Sequence, residues 1–134
     1  MKKIKNDIEM SIVIPAFNEA NNIVKLVEEI FLALKKIRRF EVIIVDDGST
    51  DKTLFISKKL MKKFSRLRLV KHRKNYGQSI SIRSGILKSI YDYIVTIDGD
   101  GQNVPSDFPA LETALLNQGG FATMAAGIRQ HRND

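Results

Sequence analysis

The sequence contains no cysteine, which excludes disulfides, thiolate metal sites and cysteine nucleophiles and fits a reducing, cytoplasmic compartment. It has no long apolar run either. Residues 11–14 and 42–45 fall far short of the roughly 20 residues that span a bilayer, and the start is too charged and too soon interrupted for a signal peptide. No Gly-x-Gly-x-x-Gly opens a helix after the first apolar run, and no phosphate-loop Gly-Lys-Ser/Thr occurs, so a dinucleotide oxidoreductase or a phosphate-loop enzyme is disfavoured. A recognised nucleic-acid module or aromatic strand platform is also missing, and nucleic acid is not expected as a partner.

What is there is the balance of one soluble domain: 134 residues, 43% hydrophobic and 28% charged. Residues 1–9 read as a polar leader and 10–134 as the domain. The net charge of +7 arises from 22 Lys and Arg against 15 Asp and Glu, an excess that favours phosphates, acidic lipid or other anions without choosing among them. Lys58, Lys59, Lys62, Lys63 and Arg66 are spaced along the outer side of a helix, as either a solvated face or a membrane-surface contact.

Apolar periodicity predicts strands over 10–15, 41–45, 67–70 and 93–97, with Pro15 stopping the first ladder because it has no amide hydrogen. Between them it predicts a helix from residue 22 with Asn21 or Asn22 as cap, a second over 52–64 burying Leu54, Leu60, Met61 and Phe64, and a third over 78–90 carrying Ile82, Ile86 and Ile90. A weaker helix over 108–116 and a fifth strand over 121–126 follow. Alternation of this kind implies an α/β domain, with a mostly parallel sheet covered by helices on both faces. Ligands of such sheets bind beyond the carboxyl ends of the strands. The polar clusters after Ile14, Val45 and Ile97 all lie at that edge and should converge.

Asp98-Gly99-Asp100 is the sharpest of them. Two carboxylates flank a glycine at a strand end, as either a turn or a site for Mg²⁺ or Mn²⁺, with Gln102 near enough to orient a water or a phosphate. Asp46-Asp47-Gly48-Ser49-Thr50-Asp51 reads partly as a helix cap from Ser49, Thr50 or Asp51. Two consecutive acids after a buried strand also suit a ligand role, for Asp46 in particular, since a carboxylate accepts from a base N–H or a ribose hydroxyl. Pro15-Ala16-Phe17-Asn18-Glu19 offers a rigid turn, an aromatic face and a carboxylate at the same edge.

These three stretches, with Asn75-Tyr76-Gly77 and with Gly101-Gln102 after the acidic triplet, resemble family-2 glycosyltransferases of GT-A fold in order and spacing. Gln102 and Gly127-Ile128-Arg129 make the chain most similar to the dolichyl-phosphate mannosyltransferase and polyprenyl-phosphate glycosyltransferase branch. The resemblance implies a Rossmann-like nucleotide-diphospho-sugar transferase fold. It further implies that Pro15, Phe17 and Glu19 line the nucleotide, with Phe17 where the family often has Tyr, and that Ile44 and Asp46 contact the base region. Asp98 and Asp100 would hold the metal, Gly99 would lie near the ribose and Gln102 would assist at the metal. Arg129 would meet phosphate, with His131 and Arg132 as neighbouring candidates.

The expected reaction moves a hexose from a GDP-mannose or UDP-glucose type of donor to an acceptor, a polyprenyl or dolichyl phosphate at a membrane surface, as metal and cations stabilise the departing diphosphate. The family continues well past its Gly-x-Arg strand, whereas this sequence ends at Asp134. The donor-binding half is therefore expected here and the acceptor half is not. The alternative is a nucleotide-sugar-binding module without turnover.

Overall fold

The computed structural model describes residues 9–99. Four strands, β1 (Glu9–Ala16), β2 (Arg39–Asp46), β3 (Leu67–Lys71) and β4 (Tyr93–Thr96), form one sheet of order β3-β2-β1-β4, parallel throughout. Helices α1 (Ile23–Ala33), α2 (Thr53–Lys63) and α3 (Gln78–Lys88) make the crossovers. Alternation along the strands sends Ile12, Ile14, Val42 and Ile44 to a core shared with Ile23, Leu26, Val27 and Ile30 of α1 and Leu60 of α2. Val13, Ile43, Val45 and Ile94 face the other way, against Ile86 of α3. Each such buried aliphatic side chain stabilises the fold by about 1.5–3 kcal/mol.

The first two crossovers thus lie on one face and the third on the other. The chain steps outward from β1 to β3, then returns to place β4 on the open side of β1. The strand order reverses at β1, the kind of position at which parallel sheets of this type take ligands.

Pro15 does not stop the first strand, which runs on to Ala16, with Pro15 opposite Val45. The Val13 carbonyl accepts from the Ile97 N–H at 3.0 Å, so peptide groups of odd-numbered residues here face β4. The ladder to β4 does end here: pairing stops at Val13, and the bond that would follow the one from Ile97 needs the amide hydrogen that Pro15 lacks.

Two helix faces also differ from expectation. In α2 the buried positions are Thr53, Ser57 and Leu60, while Leu54 and Phe64 are half-buried and Met61 is 39% exposed. In α3 Ser81 and Gly85 are buried, and Ser89 just past its end, whereas Ile82 and Ile86 are half-buried and Ile90 is 61% exposed. Proximity is the reason: a Cβ on Gly85 would lie 2.3 Å from Val13 Cγ1, so the helix rides on small residues against a β-branched strand. Gly85→Ala is expected to cost about 1–3 kcal/mol despite its better helix propensity. In a Val13→Ala background, where the clashing methyls are gone, Gly85→Ala should cost less than it does in the wild type by urea unfolding; no loss on Gly85→Ala would mean that α3 lifts freely.

Lys58, Lys59, Lys62, Lys63 and Arg66 are exposed, Lys63 pairs with Glu28 at 3.2 Å, and Arg66 covers the Phe40 ring. Asn22 occupies the cap position of α1 without a capping bond; its Nδ2 donates instead to Glu19 Oε1 at 3.0 Å.

Candidate functional site

The loop after β1 and the loop after β2 are stitched together side chain to backbone. Asn18, in the left-handed region at φ 56°, accepts the Thr50 and Asp51 N–H groups on Oδ1 at 2.8 and 3.2 Å, and its own N–H donates to Ser49 Oγ at 2.9 Å. Thr53 Oγ1 accepts the Glu19 N–H at 2.8 Å, and Asp51 accepts the N–H groups of Ala20 and Thr53. Asp51 thereby satisfies a donor at the start of α2. Burial pushes its carboxyl up, but the hydrogen bonds from Thr53 and from backbone N–H groups outweigh this and hold it below the ordinary value. Much of what reads as motif in the two loops is the lacing that brings them together.

The two consecutive acids then divide in role. Asp47, 3% exposed, has both oxygens occupied. Oδ1 takes His72 Nδ1 at 2.7 Å and the Tyr76 N–H at 2.9 Å, while Oδ2 takes Asn75 Nδ2 and the Gly77 N–H, each at 2.9 Å. His72 continues through Nε2 to Ser84 Oγ at 2.8 Å. Burial pushes the Asp47 carboxyl up, yet the bonds from His72, Tyr76 and Gly77 prevail and its pKa falls below the ordinary value. Asp46, 2% exposed, has an Oδ1 with no hydrogen-bond partner. An unpartnered buried carboxylate oxygen is costly unless something uses it. Asp47 is a clasp for residues 72–77, and Asp46 is the acid with spare capacity.

A cleft of about 190 Å³ opens at the carboxyl edge, between the ends of β1 and β4. Pro15, Phe17 and Glu19 line it from one side and Asp98 and Gly99 from the other, so five residues singled out from sequence meet there. Phe17 is 43% exposed and presents its ring to solvent. A Cβ on Gly99 would stand 3.0 Å from the Pro15 carbonyl oxygen and 3.1 Å from Glu19 Cγ, so this glycine lets the β4 turn lie against the β1 loop. Ile44, expected at the base region, is instead fully buried in the core beside α1, and Asp46 sits beneath the edge without lining the cleft. Asp100, Gln102, Arg129, His131 and Arg132, with the helix over 108–116 and the strand over 121–126, lie outside the described residues.

Asn75, Gly77 and Gln78 also line the cleft. In sequence, Asn75 and Gly77 stand out as part of the Asn75-Tyr76-Gly77 motif, and Gln78 only as the start of the third helix. A polar side chain at the first position of a helix after a glycine was the available clue. Gln78 Nε2 donates to Asp98 Oδ1 at 2.9 Å.

Asp98, Glu19 and Asp47 bring carboxylates to the cleft, that of Asp47 already engaged by residues 72–77, and carboxylate oxygen suits Mg²⁺ or Mn²⁺. Among the described residues no three acidic or histidine side chains are grouped to enclose a metal ion. Mg²⁺ bound with phosphates commonly needs only one or two protein carboxylates, so this open arrangement fits a metal shared with a diphosphate. No helix among the described residues is long and apolar enough to cross a membrane.

Residues 11–133 match the family described as Glycosyl transferase family 2. The chain is 36% identical over 129 residues to the dodecaprenyl-phosphate galacturonate synthase of Rhizobium johnstonii, which covers 95% of this chain and 38% of that protein. It is 34% identical over 133 residues to the undecaprenyl-phosphate 4-deoxy-4-formamido-L-arabinose transferase of Pectobacterium atrosepticum, covering 98% of this chain and 39% of that one. Among solved structures, S. aureus TarS 1-349 in complex with UDP superposes with a TM-score of 0.60 at 27% identity, over 69% of this chain and 28% of that one. The mannosyltransferase PcManGT from Pyrobaculum calidifontis, in complex with GDP-Man and Mn²⁺, gives 0.70 at 22% identity, over 81% of this chain and 31% of that one. The parallel sheet of order β3-β2-β1-β4, its cleft at the β1 and β4 ends, and the family match over residues 11–133 place this chain in glycosyl transferase family 2, with a GT-A fold.

Proposed function

We propose that the cleft binds the nucleoside diphosphate of a sugar donor together with Mg²⁺ or Mn²⁺, and that the chain carries the donor-binding part of a hexosyltransferase acting on a polyprenyl phosphate. The observation that carries this reading is the meeting of Pro15, Phe17 and Glu19 with Asp98 and Gly99 at the open end of the sheet. Polyprenyl phosphates are named in the relatives, and the structural neighbours hold UDP or GDP-Man with Mn²⁺.

In this reading the exposed ring of Phe17 offers a stacking face to the base. Glu19 accepts from a ribose hydroxyl. Asp98 and Asp100, assisted by Gln102, would hold the metal, and the chemistry it would supply is charge neutralisation on the diphosphate. Arg129 meets phosphate through its fork of donors. The acceptor oxygen forms a bond to the anomeric carbon while the bond from that carbon to the diphosphate oxygen breaks. A phosphate acceptor is already ionised at neutral pH, so it needs no general base. The exposed cations Lys71, Arg73 and Lys74 border the cleft's third loop and steer anions toward it. The site of action that follows is the cytoplasmic face of a membrane.

Calorimetric titration with GDP and UDP, with Mn²⁺ and with chelator, tests the assignment. Asp98→Ala is expected to reduce Mn²⁺-dependent affinity by at least about tenfold, or 1.4 kcal/mol, with Asp100→Ala behaving alike. No nucleotide binding by the wild type, or undiminished metal dependence in both variants, would sink it.

A further inference from the structure

We infer that Gln78 is a positioning residue that sets the carboxylate of Asp98 for its cation, and that Asp47 acts on the same carboxylate at one remove through the first turn of α3. The inference rests on the metal reading of Asp98 and extends it to residues that touch neither metal nor nucleotide in that reading.

The connection is continuous. Asp47 holds the N–H groups of Tyr76 and Gly77 and the side chain of Asn75. Gly77 is the cap residue of α3, and its carbonyl accepts both the N–H of Ser81 at 3.1 Å and Ser81 Oγ at 3.0 Å. Gln78 is the first of the three residues between these anchored points, and its Nε2 reaches Asp98 Oδ1 at 2.9 Å. The orientation of the amide follows from chemistry: an ionised carboxylate only accepts, so the NH₂ end must face it. Two turns further along α3, Gly85 is seated so closely on Val13 that an added Cβ would lie 2.3 Å from Val13 Cγ1.

An ion that coordinates a carboxylate gains from finding it already oriented, because the rotamer freedom of Asp98 need not be lost on binding. The Gln78 amide occupies one direction around Oδ1, and both residues line the cleft. Without that amide, Asp98 would still be an acid at a strand end, but one that must be ordered when the ion arrives.

The test uses the full chain and three variants: Gln78→Met, which keeps length and helix propensity but has no amide, Asp98→Ala, and the double change. Before any ligand is added, the Gln78 side-chain NH₂ resonances should move in the Asp98→Ala spectrum; unmoved resonances overturn the proposal. With GDP or UDP as probe, the affinity gained on adding Mn²⁺, measured against each variant's own affinity in chelator, should fall roughly tenfold in Gln78→Met. In the Asp98→Ala background Gln78→Met should add nothing. A Gln78→Met chain with the full Mn²⁺ gain, or an equal loss persisting without Asp98, overturns the positioning role. If Asp98→Ala itself leaves the Mn²⁺ gain intact, the metal reading has failed and this inference with it. Loss in Asp98→Ala with none in Gln78→Met removes the inference alone.

Discussion

Asp47→Ala is expected to lose about 3–5 kcal/mol of stability, the range for removing one partner from a buried, fully bonded charge. The reason lies in what is left behind. His72 Nδ1, Asn75 Nδ2 and the N–H groups of Tyr76 and Gly77 all donate to this one carboxylate; an alanine strands three of them and leaves Asn75 Nδ2 only its longer bond to the residue 47 carbonyl at 3.2 Å. Asp47→Asn should not rescue, because it keeps one acceptor and turns an NH₂ group against two donors. The neighbouring Asp46→Ala, which removes a carboxylate with an unpartnered oxygen, is expected to change stability by less than about 1 kcal/mol. Urea unfolding of the three variants checks this, and equal losses from both alanine changes would refute the division of roles. The pH dependence has a definite sign. The folded pKa of Asp47 is lowered, so its contribution is complete above the unfolded value near 3.9 and is lost as pH falls through the folded one. The stability gap between wild type and Asp47→Asn should therefore narrow on acidification below about pH 4.

Gly48→Ala is expected to be about as damaging, at roughly 3–4 kcal/mol, by a different route. Gly48 has φ +72°, a left-handed conformation that costs an alanine about 1 kcal/mol or more. The added Cβ would also lie 2.4 Å from the Lys74 carbonyl carbon and 2.5 Å from the Asn75 nitrogen, and neither backbone atom can swing aside as a side chain would. Relief requires moving the loop of residues 72–77 that Asp47 clasps. Gly77 provides the comparison. It also has positive φ, at +103°, but a Cβ there meets nothing within 4 Å. Gly77→Ala should thus cost only the conformational part, about 1–3 kcal/mol. Thermal unfolding of the pair separates clash from strain, and equal losses would mean that the loop yields readily.

The sheet and the place of its cleft were legible because apolar runs and their polar ends are one-dimensional properties. Val42 to Val45 announces a strand covered on both sides, and Asp46 and Asp98 mark where strands end. The convergence of the Pro15 and Asp98 loops followed from parallel topology alone. Periodicity misjudged α3 because it weighs apolar volume, whereas Ser81 and Gly85 are buried for being small. It could not tell Asp46 from Asp47 either, since the distinction rests on donors some 25 to 30 residues away, at His72 to Gly77. Gln78 was hidden for the same reason: its partner is twenty residues on, at the end of another strand.

The central place of β1 has a consequence for how the chain is made. One edge of β1 meets β2 after a single intervening helix, but the other waits for β4, beyond two more helices and β3. Until Tyr93–Thr96 has emerged, the uncharged run Ile12-Val13-Ile14 carries an open edge of backbone donors and acceptors. Exposed edges of this composition recruit foreign strands. Mispairing, aggregation and chaperone capture of the nascent chain would therefore concentrate in the interval between completion of β3 and arrival of β4.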